Sequence, residues 1–145
     1  MKVRIRKITP ELSLPKYQTS ESAGFDIASS VDITIDPGSV AKIPTGLVIE
    51  APKGHFLLIA ARSSLPLKKG LAMANGIGVV DPDYAGPNDE IHIIVYNFRT
   101  QAVDVKKGER LAQGIFLPIE QAFWQEATEL RESDRGGIGS TGGYK

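Results

Sequence analysis

The chain has 145 residues, 41% of them hydrophobic, enough for one domain with a real core. Lysine plus arginine equals aspartate plus glutamate at 17 each, so the formal net charge is zero. That balance gives no general attraction to a nucleic-acid duplex or an anionic membrane, and the lack of cysteine excludes disulfides, thiolate metal sites and a cysteine nucleophile.

From the N-terminus, Val3 to Ile8 alternates apolar and charged residues, which predicts a strand and not the continuous apolar core of a signal peptide. No apolar run reaches the ~20 residues needed to cross a bilayer, so a soluble, cytoplasmic protein is the expectation. Ser22 to Ser29 is small and polar except at Phe25 and Ile27. Val31, Ile33 and Ile35 alternate with polar residues as a half-buried strand does, Asp36-Pro37-Gly38 turns the chain, and Val40 to Ile43 returns. Leu47 to Ile49 and Phe56 to Ala60 are short apolar runs, read as strands buried on both faces. Ile91 to Phe98 is the longest β-rich run, and Lys106-Lys107-Gly108 turns into a strand over Leu111 to Leu117. About nine strand candidates at short spacing predict an all-β sandwich, jelly roll or barrel. One amphipathic helix is expected over Ile119 to Ala127, where apolar residues recur at three and four.

The stretch from Ala72 to Gly86 organises the rest. Asn75-Gly76 is a strong turn signal, so Ala72 to Val80 is expected to be a β-hairpin. Asp81-Pro82-Asp83 ends its second strand, because proline cannot donate into a ladder. Two carboxylates and Tyr84 are thereby left at one corner. The tail from Arg131 is glycine-rich, with Ser140 and Thr141 beside the glycines. It reads either as a frayed terminus or as an arm whose N–H groups, with Arg135, wrap an anion.

Five segments match one family in order and spacing. They are Ala23-Gly24-Phe25-Asp26-Ile27, Ala61-Arg62-Ser63-Ser64, Asn75 through Gly86, Gly108-Glu109-Arg110-Leu111-Ala112-Gln113, and Gly136 through Gly142. The set resembles the five motifs of the trimeric dUTP pyrophosphatases (dUTPases) and covers nearly the whole chain. The resemblance implies hydrolysis of dUTP to dUMP and pyrophosphate with Mg²⁺. It also implies a jelly-roll-like β-barrel over residues 1–130 with an extended C-terminal arm over 131–145. Three chains would form a homotrimer whose sites use segments of two subunits, the arm of the third closing over each.

By the same resemblance Asp81 is the carboxylate that activates water, and its alternative is a simple turn former. Asn75 and Gly78 belong to the loop that reads uracil. Tyr84 packs under the deoxyribose, with a core tyrosine as the alternative. Arg62, Ser63 and Ser64 hold phosphates, as does Gln113, whereas Arg110 is equally a structural residue. Asp26 lies near the metal and acts through bound water. Arg135, Ile138, Gly139 and Ser140 belong to the arm. His55 and His92 are far from any ligand spacing and are taken as structural.

The chain departs from the family at four places. Ile138 stands where a phenylalanine usually stacks on uracil, a difference of ~0.5–1.5 kcal/mol if aromatic pairs are a guide. Arg135 lies three residues before Ile138, where the family has five, and Ser133 occupies the expected place. Pro87-Asn88-Asp89 lengthens the segment after Gly86, and Gly114 replaces a bulky apolar residue. Two other functions share this fold. A dCTP deaminase would need a glutamate three residues before Asn97, where this chain has Ile94. A non-catalytic trimer binding nucleotide or protein would keep the cleft and lose the chemistry.

Overall fold

The structure, a computed structural model, describes residues 1–136. Its strands run in order β1 (Arg4–Lys7), β2 (Phe25–Ala28), β3 (Ile33–Ile35), β4 (Val40–Pro44), β5 (Leu47–Glu50) and β6 (His55–Ala61). They continue with β7 (Leu71–Met73), β8 (Gly78–Val80), β9 (His92–Asn97), β10 (Val103–Val105) and β11 (Arg110–Pro118). The only helical element among the described residues is one π-helical turn, Leu65–Lys69, stopped by Gly70 at φ 69°.

All pairings are antiparallel, and the fold is the expected all-β jelly roll. A four-stranded sheet has the order β2-β11-β6-β8 and a three-stranded sheet the order β4-β9-β7. Two further pairs, β1-β5 and β3-β10, complete the barrel. Pairing between strands remote in sequence is what distinguishes a jelly roll from a simple meander.

The core follows from strand alternation. On β9, Ile93, Val95 and Asn97 point inward, and each is fully buried. The buried Asn97 amide donates to the carbonyls of Ile35 and Gln101 at 2.9 Å, so its polarity is satisfied and it pins the loop after β9 to β3. Leu47 to Ile49 is buried throughout, as a run covered on both faces should be. On β6 the expectation of two buried faces fails, because only Leu57 and Ile59 are fully inward while Phe56, Leu58 and Ala60 are half-exposed. That outer face is apolar yet uncovered in this chain.

Gly114 now has a physical account. Its inward neighbours across the sheet are Phe25 and Ile59, and the Phe25 ring lies over its Cα. A Cβ at Gly114 would fall 2.5 Å from that ring and 3.0 Å from Leu57. A bulky side chain at Gly114 would have to displace the Phe25 ring, which lies near Phe116 with ring centroids 5.7 Å apart.

The helix expected over Ile119 to Ala127 is absent, and the segment is irregular. After the last backbone bond, from Ile119 N–H to the Gly54 carbonyl, residues 120–136 are exposed. Phe123 and Trp124 are 100% and 95% exposed, so this chain offers the amphipathic face nothing to bury against. A nine-residue helix without such burial does not form in water. The Pro87-Asn88-Asp89 insertion closes on itself, since the Asp89 carboxylate accepts the Gly86 N–H at 2.7 Å. Arg6 donates to the Pro87 carbonyl at 2.6 Å and ties this turn to β1.

Candidate active site

Two groups of the expected residues lie on one outward face of the four-stranded sheet, at opposite ends. Cross-strand partners share a face, so the register fixes which side chains stand together. Asp26, Gln113 and Ala60 form one row across β2, β11 and β6. Ile115, Leu58 and Val79 form the next outward row, across β11, β6 and β8.

At the first row the Asp26 carboxylate is held by two guanidiniums. Arg62 Nε lies 2.9 Å from Oδ1 and Arg110 Nη1 lies 2.9 Å from Oδ2. The Asp26 side chain is largely buried, 12% exposed, so the pairing offsets a real desolvation cost. Arg62 follows the end of β6 and its N–H still donates to Leu111 at 3.1 Å, which fixes its backbone against β11. Gln113 Nε2 donates to the Ala61 carbonyl at 3.2 Å. Ser63 is exposed, and Ser64 begins the π-helical turn without a capping bond from its hydroxyl. Arg110, left undecided from sequence, is a full member of this cluster. Two arginines, two serines and an amide at one sheet end form an arrangement suited to phosphate oxygens.

At the other end, β8 leads into Asp81. Val80, the last residue of β8, stands opposite Leu57, and Asp81 follows it; continued strand alternation would put Asp81 on the face of Val79, level with Phe56. Asp81 is exposed, and its carbonyl accepts the Tyr84 N–H at 3.2 Å to close the turn through Pro82 and Asp83. Tyr84 is 42% exposed, so it is not the core tyrosine of the alternative reading.

Asp81 and Gln113 of one chain are separated by about 13 Å along the strands and about 10 Å across them, from the rise and spacing of a sheet. Arg62 is farther still.

The expected β-hairpin needs correction. β7 pairs with β9 and β8 pairs with β6, so the two arms do not form a ladder with each other. The Asn75-Gly76 turn connects the edges of two different sheets. It is closed by Gly76 N–H to the Met73 carbonyl at 3.1 Å, with Gly76 at φ 70°. Asn75 is exposed in this turn and Gly78 begins β8. β7 and β8 are each paired on one side only, and the outer side of an edge strand carries N–H and C=O groups that can meet the edge of a planar base.

Arg135 is described and exposed, while Ile138, Gly139 and Ser140 lie outside the described residues. The deaminase alternative finds no support: Ile94 occupies the place of its base, and the Asn97 amide is spent inside the barrel.

Comparison with known proteins identifies the family. A profile of the dUTPase family matches residues 10–142. A deoxyuridine 5'-triphosphate nucleotidohydrolase of Nautilia profundicola is 42% identical, over 98% of this chain and 99% of that protein. Its counterpart in Desulfitobacterium hafniense is 44% identical, over 98% and 97% respectively. The crystal structure of a dUTPase from Streptococcus mutans superposes with a TM-score of 0.78 at 34% identity, over 83% of this chain and 98% of that one. The chain belongs to the dUTPase family.

Proposed function

We propose that this protein hydrolyses dUTP to dUMP and pyrophosphate, as a homotrimer with sites shared between chains. The observation that carries the reading is the outward sheet face, with a phosphate-binding cluster at one end, Asp81 at the other, and the apolar row Ile115, Leu58 and Val79 between them. An apolar band flanked by complementary polar ends suits a head-to-tail contact with a second copy, and such contacts close into rings. Asp81 of the partner subunit then meets Arg62, Ser63, Ser64 and Gln113 across the interface. A cytoplasmic location suits a reaction on free nucleotides.

Uracil enters the slot between the edges of β7 and β8, where main-chain groups near Asn75 and Gly78 take the place of a base-pairing partner. A narrow slot leaves no room for thymine's methyl group, and cytosine would face wrongly matched donors and acceptors, each costing ~1–3 kcal/mol. Tyr84 lies where the deoxyribose follows. The reaction forms one bond from a water oxygen to the α-phosphorus and breaks the bond from that phosphorus to the bridging oxygen. The electron pair departs with pyrophosphate, and Asp81 positions the water and takes its proton.

The donor set fits Mg²⁺ held mainly by the triphosphate. Among the described residues no three His, Cys, Asp or Glu side chains cluster, and Mg²⁺ keeps several waters in such sites. Each Asp26 oxygen has one guanidinium partner and a lone pair left, enough to accept a hydrogen bond from a metal-bound water. The ion would neutralise phosphate charge. Residues 131–145 are assigned to a closing arm, with Arg135, Ile138, Gly139 and Ser140 toward the base and terminal phosphate.

Mixing the protein with dUTP and Mg²⁺ should release pyrophosphate and dUMP in equal amounts, with dTTP and dCTP far slower. Nucleotide binding without pyrophosphate release would favour the non-catalytic trimer and overturn the assignment.

A further inference from the structure

The turn that carries Asp81 and Tyr84 is held from behind by a hydrogen-bond network that the proposed reaction leaves unused. Glu90 stands at its centre, between two fixed points of the backbone. On one side Gly86 and Asp89 close a turn, the Asp89 carboxylate accepting the Gly86 N–H at 2.7 Å. On the other, Ile91 N–H donates to the Leu47 carbonyl at 2.9 Å, and the Ile91 carbonyl accepts the Thr45 hydroxyl at 2.7 Å. The Glu90 side chain is only 21% exposed, and its Oε1 accepts the Gly46 N–H at 2.7 Å. Residue 90 is thus fixed through its neighbours and through its own carboxylate.

Its main-chain carbonyl is thereby presented to two donors. His92 Nδ1 lies 2.8 Å from it, and because a carbonyl only accepts, that nitrogen carries a proton. His92 Nε2 lies 3.8 Å from Glu90 Oε2, so the imidazole spans both the main chain and the side chain of one residue. The second donor is the Tyr84 hydroxyl, at 3.4 Å. This bond is long and adds little to stability, yet it is the one hydrogen bond of the Tyr84 side chain among the described residues. Tyr84 is 42% exposed, so packing alone leaves the tilt of its ring open. Its backbone is already held by the N–H bond to the Asp81 carbonyl, and the hydroxyl contact fixes the far end of the ring.

We infer that Glu90 and His92 position the Tyr84 ring, and through it set how strictly a ribose is refused in favour of a deoxyribose. The inference rests on the dUTP reading above, which lays the sugar against Tyr84, and adds two residues that act through another side chain. A ring held at both ends cannot give way, so a 2′-hydroxyl directed at it meets a fixed surface. A ring held only at its backbone tilts aside and admits the extra oxygen.

The test compares kcat/KM for dUTP and UTP, and affinities for dUMP and UMP, in the unaltered protein and its variants. Tyr84→Phe removes only a half-exposed hydroxyl, so the fold is retained. Glu90→Ala takes the acceptor from the Gly46 N–H, Glu90→Gln keeps one, and His92→Leu removes the other donor to the carbonyl. Tyr84→Phe, Glu90→Ala and His92→Leu should each lower the preference for dUTP over UTP by about threefold to tenfold, the worth of one hydrogen bond. Glu90→Gln should keep most of the preference. Glu90→Ala added to Tyr84→Phe should lower it no further, because both changes break the same path. Full additivity of the two, or an unchanged preference in Tyr84→Phe, would overturn the inference. Equal losses for both sugars would overturn it as well, since a general distortion of the turn lowers both rates together. If Glu90→Ala fails to fold, His92→Leu with Tyr84→Phe makes the same comparison. Were the unaltered protein to turn over neither nucleotide, the proposed function would fail, and the ratio of dUMP to UMP affinity across the variants would still decide the positioning.

Discussion

Asp81→Asn should bind dUTP with near-normal affinity and lose ~10²-fold or more in turnover, the usual size of a general-base contribution. Asparagine keeps the volume and the turn, because the bond that closes the turn uses the Asp81 carbonyl and not its side chain. It cannot take a proton. The exposed position at the end of β8 means the exchange carries no packing cost, so stability should be unchanged. Single-turnover kinetics with dUTP separates the two effects. Unchanged turnover would remove Asp81 from the reaction, and lost binding would make it a ligand for the nucleotide.

Deleting residues 131–145 should leave a folded, assembled protein whose kcat/KM for dUTP falls by about 10²-fold, the scale expected when donors to a developing charge are removed. Stability is spared because residues 131–136, the described part of the deleted segment, are exposed and carry no strand or helix. Activity should suffer because the proposed closure supplies phosphate donors and keeps bulk solvent, other than the attacking water, from the reacting centre. Thermal unfolding and steady-state rates on the same preparation check both halves. A truncated protein as fast as the full chain would refute the arm's role, and one that fails to fold would assign the segment to the barrel instead.

Local patterning in the sequence was enough to locate most strands. Alternation around Ile33 and Ile35 and the β-rich run over Ile91 to Phe98 appear as strands β3 and β9, and the charge-alternating N-terminal stretch is a strand, paired with β5. Strands Phe25–Ala28 and Val103–Val105 left no clear local signal. The first sits in a small, polar segment, and the second has three residues and owes its form to pairing with β3. The false helix after β11 shows the converse. Its apolar spacing was real, but spacing stabilises a helix only where another surface receives it.

The site residues were legible as motifs, whereas their grouping was not. Nothing local in Asp26, Arg62 and Arg110 says that one carboxylate bridges two guanidiniums, because the strands that join them are distant in sequence. Likewise the turn at Asn75-Gly76 was visible, but not that its arms belong to different sheets. Only the register across β2, β11, β6 and β8 puts the phosphate cluster and the end of β8 far apart on one sheet, the separation behind the proposed site between chains.

That separation is the central claim, and subunit mixing tests it most directly. Asp81→Asn and Arg62→Ala proteins, each inactive alone, should regain activity when unfolded, mixed in equal amounts and refolded together. If each site joins Asp81 of one copy to Arg62 of the next around a closed ring, about one quarter of sites in random trimers are intact. Recovery near a quarter of the wild-type rate is the expected result. Mixed preparations that form trimers and stay as inactive as their parents would contradict the account, because both residues would then have to act from the same chain.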